Sequence, residues 1–491
     1  MGTSYGSIFK STALFGVVQV LKAVMSVAKN KIAAILIGPE GVGILGIFQS
    51  TIRVIQTGAG LGVNQSAVRD VSEATGSEDF NRKSRIINVT NRVILITGLL
   101  GCLITLILSR LLADWTFNDP SFTISYCIIA IVIGLNIGNE GRLALLKGTR
   151  QLRMLAGASV IGSAVGLFTS VPLYYFFGKD GIVPELLVSS ILAVFTTNYF
   201  VKRIPYEYLH ISIKDVIKEG TPMVKMGVAM MFVTFLQTIV ALVLNSFIRA
   251  HGGLETVGLF SAGTTILHGY FGLLTTALTT DYYPRIAAVN KDNKILQEEL
   301  NKQSIVSLLF IAPLLVVFLV FLPYFISILY SPAFLPATDY VRFAIYWTLI
   351  TACSNQVDLI LVAKFDIKSF ITIAIFIRLL QLVLCLSLYS WYGLSGLGVS
   401  YAVLGVFHLA VMSTVVYYKY RIRFSKSFLN LLIAVLIIAF GASAINEMNN
   451  MIWRLLMGMI LIIVTFCLSG VYLQKHIGIS FSKIILKKIK K

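Results

Sequence analysis

Acidic residues are scarce. The 491 residues include 22 Asp and Glu against 41 Lys and Arg, and charged residues of both signs reach only 13%. A soluble globule is normally about 25% charged, so a chain this poor in charge is not built for water on all sides. Cysteine is thin too. Cys102, Cys127, Cys353, Cys385 and Cys467 are isolated from one another in apolar stretches. An odd count with no metal-like spacing argues against a disulfide framework or a zinc site. There are five histidines, no Ser/His/Asp arrangement and no phosphate-binding glycine loop in a suitable context, so the chain reads as a non-enzyme without cofactors. Long loops are missing as well: the longest connection on the cation-poor side is about a dozen residues, too short for a catalytic domain. The first apolar stretch contains polar residues and no A-x-A-like site follows it, so it reads as a span and not as a cleaved signal.

What is present is apolar residues, at 57%. A span needs about 20 of them to cross roughly 30 Å of hydrocarbon. Stretches of that kind occupy 11–37, 42–68, 88–109, 121–146, 155–177, 182–201, 221–249, 257–282, 304–329, 340–363, 370–392, 396–418, 428–445 and 452–473. The expected fold is an all-α polytopic membrane protein of about 14 transmembrane helices.

The connecting loops alternate between cation-rich and cation-poor. One side collects 29 Lys and Arg, including Arg69, Arg82, Lys83 and Arg85 in one loop and Lys483, Lys487 and Lys488 in the tail; the other has Arg110, Lys179, Arg249, Arg342 and Arg454. The positive-inside rule puts both termini in the cytoplasm. The net charge of +19 is therefore a topology signal and not a nucleic-acid footprint.

Short glycine hairpins repeat. Gly38-Pro39-Glu40-Gly41-Val42-Gly43 matches Gly253-Leu254-Glu255-Thr256-Val257-Gly258, and Gly178-Lys179-Asp180-Gly181 matches Gly393-Leu394-Ser395-Gly396, each pair 215 residues apart. Lys147 and Lys364, 217 residues apart, fall in corresponding cation-rich loops. Single glycine turns arise by coincidence; two with one offset imply two six-helix halves in parallel orientation, related by an axis along the membrane normal. The expected divisions are 1–203, 204–420 and an appended pair with a basic tail at 421–491.

Polar residues inside spans are costly and usually face a cavity or the bundle interior. Gln19, Lys22, Ser26 and Lys29 share one helical face of the first span, and Gln49, Arg53, Gln56, Gly60 and Asn64 share one face of the second. Lys22 and Arg53 are each about twelve residues into their spans, near mid-depth at 1.5 Å per residue. Thr265, His268, Gly272, Thr275 and Thr279 form a stripe in the eighth span, and Thr348, Thr351, Asn355 and Asp358 in the tenth. Arg92, Lys225 and Arg378 are further cations in spans; Asp281, Asp358 and Glu140 are the carboxylates available for ion coupling or for neutralising a neighbour. Lys29, Lys31, Arg92 and Lys225 have a plainer alternative, snorkelling to headgroups, and His268 has one as a packed interface histidine. A mid-membrane face rich in Lys and Arg attracts an anion, and guanidinium geometry suits phosphate or carboxylate.

The run from Lys31 to Gly43 and the stretch Gly58-Ala59-Gly60-Leu61-Gly62 resemble the first hairpin of bacterial O-antigen and common-antigen flippases, the Wzx type, of the multidrug/oligosaccharidyl-lipid/polysaccharide (MOP) exporter superfamily. Val257-Gly258-Leu259-Phe260, Tyr270 and Tyr283-Pro284 resemble the corresponding part of the second half, and the similarity runs from about residue 8 to 420. The resemblance implies a V-shaped pair of six-helix bundles in the bacterial inner membrane. It also implies alternating-access transfer of an undecaprenyl-diphosphate-linked oligosaccharide to the periplasmic leaflet, with an O-antigen polymerase and a chain-length regulator as partners in lipopolysaccharide biosynthesis. Related flippases place cavity arginines on the first, second and eighth helices, where this sequence has Lys22, Arg53 and His268. Some family members have a carboxylate near positions 268 and 348, where this sequence has His268 and Thr348.

Three other readings compete. A drug or organic-cation antiporter of the same superfamily calls for mid-membrane carboxylates in place of cations. A flippase for the peptidoglycan precursor lipid II would share the anion chemistry. A membrane-embedded polymerase or ligase would want a large loop on the cation-poor side.

Overall fold

The computed structural model describes residues 5–77, 79–445, 448 and 450–477. Among these the chain is helical, with no β-strand. The helices are α1 (Tyr5–Leu36), α2 (Gly38–Ala59), α3 (Val63–Gly76), α4 (Phe80–Phe117), α5 (Thr123–Gly148), α6 (Leu152–Phe177), α7 (Ile182–Val201), α8 (Ile213–Thr264), α9 (Phe271–Ala288), α10 (Asn293–Val320), α11 (Leu322–Leu329), α12 (Thr338–Ala363), α13 (Ile367–Tyr420), α14 (Lys426–Ile445) and α15 (Met451–Ile477). Nine segments among the described residues are long and apolar enough to cross a membrane. Three of them, Leu152–Val201, Ile213–Thr276 and Ile367–Tyr420, are of double length and reverse at Gly178, Gly253 and Gly393. Nine segments thus hold twelve spans, and α1 and α2 supply the other two. The chain is a multi-pass membrane protein.

Three of the scarce carboxylates are used at helix starts. Asp79 accepts from the Asn81 and Arg82 amides at the start of α4, Asp292 from Lys294 and Ile295 at the start of α10, and Asp366 from Ser369 at the start of α13. Each satisfies amides that the first helical turn leaves without partners.

Two spans differ from the sequence expectation. The stretch 42–68 is not one helix: Gly60, Leu61 (φ 49°) and Gly62 (φ 63°) turn the chain, and α3 departs separately. Gly62 takes this left-handed conformation without penalty, whereas Leu61 carries the strain of a Cβ there. Asn64 therefore lies on α3, off the α2 stripe. The stretch 304–329 breaks between α10 and α11, where Phe321 ends the first helix and Pro323 opens the second. In the eighth span, residues Thr265–Tyr270 form a π-helical turn, which inserts into the register that the Thr265–Thr279 stripe assumed.

The described residues form two compact units, Met1–Leu259 with Leu329–Ser331 and Phe260–Ile328 with Pro332–Lys491. Packing and repeat divide the chain differently: residues 204–259 lie in unit 1, and the 215-residue offset places them at the start of the second copy. In unit 1, α3 buries Val63, Ala67, Val71 and Ala74 along one face; Val89, Val93, Ile94 and Ala144 of α4 and α5 share the core of its N-terminal end. Tyr126, fully buried, meets the hydroxyls of Thr51 at 3.2 Å and Thr116 at 2.7 Å among the rings of Phe48, Phe117 and Phe122. In unit 2, α10 is enclosed, with α12, α14 and α15 packed against it and 78% of its apolar window buried.

The repeat is written in the backbone. Gly38 and Gly253 have φ of 66° and 77°, Gly178 and Gly393 of 55° and 57°, and Arg150 and Phe365 both 56°, each pair 215 residues apart. At the third pair the Gln151 amide donates to the Leu146 carbonyl and the Asp366 amide to that of Leu361, both at 2.9 Å. This turn pairs Thr149 with Lys364, so Lys147 and Lys364 do not hold equivalent positions. Gly43 and Gly258 meet across the first hairpins. A Cβ on Gly43 would lie 1.9 Å from the Leu254 carbonyl oxygen and one on Gly258 1.9 Å from that of Pro39. Under the offset Gly43 becomes Gly258 and Pro39 becomes Leu254, so the contact maps onto itself.

Candidate functional site: a cationic face and two polar recesses

On α2, Gln49, Arg53, Gln56 and Gly60 follow helical spacing down one face. Arg53 is exposed, and neither it nor Lys22 on α1 makes a hydrogen bond or ion pair among the described residues. Lys29 is different. Its amine lies 2.8 Å from Glu185 Oε1 on α7, Glu185 is fully buried, and the Tyr174 hydroxyl donates to the other carboxylate oxygen at 3.2 Å. The pair is neutral, which withdraws Lys29 from the charge available to a ligand. Glu185 had no signal in the sequence, because it stands three residues into α7 after Pro184 and resembles an ordinary first-turn carboxylate.

One turn beyond Arg53 the α2 face opens on a recess in unit 1. Gln56 of α2, Gly60 at its C-terminal end, Asn64 and Gln65 of α3, Thr97 of α4, Glu140 of α5 and Thr234 of α8 line it. The amides of Gln56 and Asn64 and the Glu140 carboxylate make no hydrogen bond among the described residues, so their capacity is open to a polar ligand. α8 lies against this corner with backbone on backbone: a Cβ on Gly62 would fall 2.1 Å from the Gly227 carbonyl oxygen. Further along, Asn245 Nδ2 donates to Ser50 Oγ at 2.5 Å.

Unit 2 has a second recess lined by His268, Gly272, Thr275, Thr348, Thr351 and Asn355, among others. It occupies the repeat-related place. Glu140 and Asn355 are 215 residues apart, as are Gly60 and Thr275, and so are Arg53 and His268. The imidazole of His268 is tilted against Trp347 at 4.5 Å between ring centroids. Arg378 lies elsewhere in unit 2, with Nη1 donating to Gln381 Oε1 at 2.7 Å. Asp358 Oδ1 lies 3.3 Å from His408 Nε2.

The remaining candidates are scattered. Arg92 is exposed and donates to the Tyr208 hydroxyl at 3.2 Å. Lys225 is exposed on α8 without a partner among the described residues. The side chain of Asp281 lies outside the described residues. The structure thus gathers Gln56, Asn64 and Glu140 in one recess with Arg53 on the adjoining turn, and leaves Arg92, Lys225 and Arg378 apart from it.

The lipid III flippases of Escherichia coli (strain K12) and Shigella flexneri are each 20% identical to this chain over 273 residues, 55% of it. The matched segment spans 64% of each relative, short of two thirds of its length. Among solved structures, the lipid II flippase MurJ in an inward closed conformation superposes with a TM-score of 0.66 at 14% identity, over 96% of this chain and all of that one. An inward-facing multidrug resistance MATE family transporter of the MOP superfamily gives a TM-score of 0.61 at 17% identity, over 85% and 95%. The chain shares the fold of these two structures. Residues 32–339 match the family described as polysaccharide biosynthesis protein, and the chain belongs to that family.

Proposed function

We propose that this protein is a flippase that carries an undecaprenyl-diphosphate-linked oligosaccharide, an O-antigen or similar surface-polysaccharide repeat unit, from the cytoplasmic to the periplasmic leaflet of the inner membrane. The observation that carries the reading is Arg53, a guanidinium without a counter-ion on a polar α2 face, next to a recess of unpaired amides. Arg53 is exposed on this face, and a guanidinium inside a span without a counter-ion is completed by an anionic ligand. The diphosphate supplies the anion, and the amides and hydroxyls of the recess suit sugar hydroxyls. The family match and the lipid III flippase relatives support a lipid-linked substrate. An interior-negative potential helps, by about 2.3 kcal/mol per charge per 100 mV as the diphosphate moves outward. The working halves are residues 1–203 and 204–420, with 421–491 appended, and both termini lie in the cytoplasm.

The test follows the sidedness of lipid-linked oligosaccharide in cells depleted of the protein, with a glycan probe that does not cross the inner membrane. Accumulation on the cytoplasmic leaflet, reversed by the intact gene and not by Arg53→Ala, is the expected result. Normal arrival at the periplasmic leaflet sinks the reading and directs attention to drug efflux.

A further inference from the structure

The recess in unit 2 is lined without Asp, Glu, Lys or Arg. The repeat makes that departure specific: where the first copy has Arg53 and Glu140, the second has His268 and Asn355. Aromatic surface stands in the place of charge. His268, within the π-helical turn, lies 4.5 Å from Trp347 of α12 and 6.2 Å from Tyr401 of α13 between ring centroids. Trp347 meets Tyr401 edge-on, at 5.9 Å and 83°. Tyr401 is buried and its hydroxyl accepts from Gln381 Nε2 at 3.3 Å, so the ring behind the indole is fixed. π-Helical turns recur at functional sites, and this one brings His268 to the recess.

Beside this wall are polar groups without protein partners. Thr348 lines the recess, is 3% exposed, and its Oγ1 makes no hydrogen bond. A helical threonine hydroxyl commonly returns to a carbonyl three or four residues back, as Thr351 does to Trp347 at 2.8 Å. The Asn355 amide, two turns along α12 from Thr348, and the Trp347 indole N–H make no hydrogen bond among the described residues either. A buried hydroxyl left unpaired is costly, and a guest that brings hydroxyls of its own removes the cost.

We propose that the unit 2 recess is a saccharide site, in which a sugar ring stacks on Trp347 beside His268 and its hydroxyls bond Thr348 and Asn355. One face of a pyranose is a row of C–H bonds with slight positive charge, and the face of an aromatic ring is negative. Sugar hydroxyls donate and accept, as do the threonine hydroxyl and the asparagine amide. The recess holds about 300 Å³, the size of a small-molecule pocket. A diphosphate would find no lysine or arginine in this lining, and an organic cation would find rings but no carboxylate. The proposal rests on the flippase reading for the identity of its guest and deepens it: the Arg53 face takes the anion, and α12 recognises sugar.

The test follows the tryptophan fluorescence of full-length protein in lipid nanodiscs, with Trp347→Phe identifying the share that Trp347 contributes. Three probes are titrated: the oligosaccharide freed by mild acid from the cells' own polyprenyl-diphosphate intermediate, undecaprenyl diphosphate without sugar, and tetraphenylphosphonium. The expected result is a saturable response of Trp347 to the oligosaccharide, with Kd raised about fivefold or more in Thr348→Val and in Asn355→Leu. Thr348→Val removes a hydroxyl that has no protein partner, so its unfolding temperature should equal or exceed that of native protein and a weaker Kd reports contact and not folding. Undecaprenyl diphosphate binding, read by native mass spectrometry, should fall in Arg53→Ala and stay native in both unit 2 variants. Native affinity for the oligosaccharide in Thr348→Val and Asn355→Leu overturns the site. So does a response to tetraphenylphosphonium alone, or to no probe, or an equal loss of diphosphate binding in the unit 2 variants. Leaflet sidedness in depleted cells is read separately. Oligosaccharide binding with undisturbed sidedness keeps the site and removes the flippase, whereas disturbed sidedness without oligosaccharide binding removes the site and keeps the flippase.

Discussion

Lys29 on α1 and Glu185 on α7 form an ion pair at 2.8 Å in which the carboxylate has no exposure at all. Removing one member strands the other's charge, at a cost of about 3–5 kcal/mol, whereas replacing both costs far less. Lys29→Met and Glu185→Gln are each expected to lower the thermal unfolding temperature of the detergent-solubilised protein, and the double variant to recover most of the loss. A double variant as unstable as the sum of the singles would mean the pair is not acting as a unit.

Arg53 and Lys225 separate a binding cation from a bystander. Arg53→Ala should reduce transport of lipid-linked oligosaccharide at least about tenfold, the loss of one charge-assisted contact. Arg53→Lys should restore part of it, because an ammonium keeps the charge but loses the fork. Lys225→Ala and Arg92→Ala, changes at exposed side chains away from the recess, should leave transport within about twofold of native. Leaflet sidedness in cells expressing each variant at matched levels reads all four.

The 215-residue repeat makes a quantitative prediction. Gly178 and Gly393 share φ near 55° and strongly negative ψ, a conformation essentially confined to glycine, so alanine at either should cost about 1–3 kcal/mol and the two costs should match. Gly43→Ala should be worse, because its Cβ overlaps a carbonyl. Conversely, Phe365→Gly should stabilise by up to about 1 kcal/mol, since Phe365 is exposed and held at positive φ. Unfolding temperatures of the purified variants test the set.

The carboxyl of Asp366 is held down to about 2 by the Lys419 ammonium at 2.7 Å, helped by Ser369 and Tyr420. A group lowered on folding stabilises the fold above its unfolded value near 3.8 and loses that contribution as pH falls toward 2. Asp366→Asn keeps the cap but not the charge. Native protein should exceed it by at most about 1 kcal/mol at neutral pH, given the exposed lysine. The difference should close between about pH 4 and pH 2 in thermal scans at stepped pH.

Much of the fold was legible because membrane helices announce themselves by length and loops by charge. Twelve of the fourteen stretches run as continuous helix, the exceptions being 42–68 and 304–329, and the glycine hairpins were found because glycine supplies their φ. The breaks at Gly60–Gly62 and Phe321 were missed although Gly60, Gly62 and Pro323 mark them, because span-length hydropathy averages over single glycines and prolines and membrane helices tolerate both. At the site, helical spacing brought Arg53 and Gln56 to one face, and Glu140 joined them through packing. Glu185 and His408 escaped notice because what defines them is a partner more than forty residues away, and local periodicity records only neighbours on the same helix.

The enclosure of α10 bears on how the chain is made. α14 and α15, which pack against it, leave the ribosome after α10 to α13. Until they arrive, the apolar surface of α10 is in contact with acyl chains, a solvent that it tolerates as well as it tolerates protein. The arrival of α14 and α15 is thus the step that encloses α10, and truncation before Lys426 should yield a chain that inserts normally yet is handled by membrane proteases as unfinished.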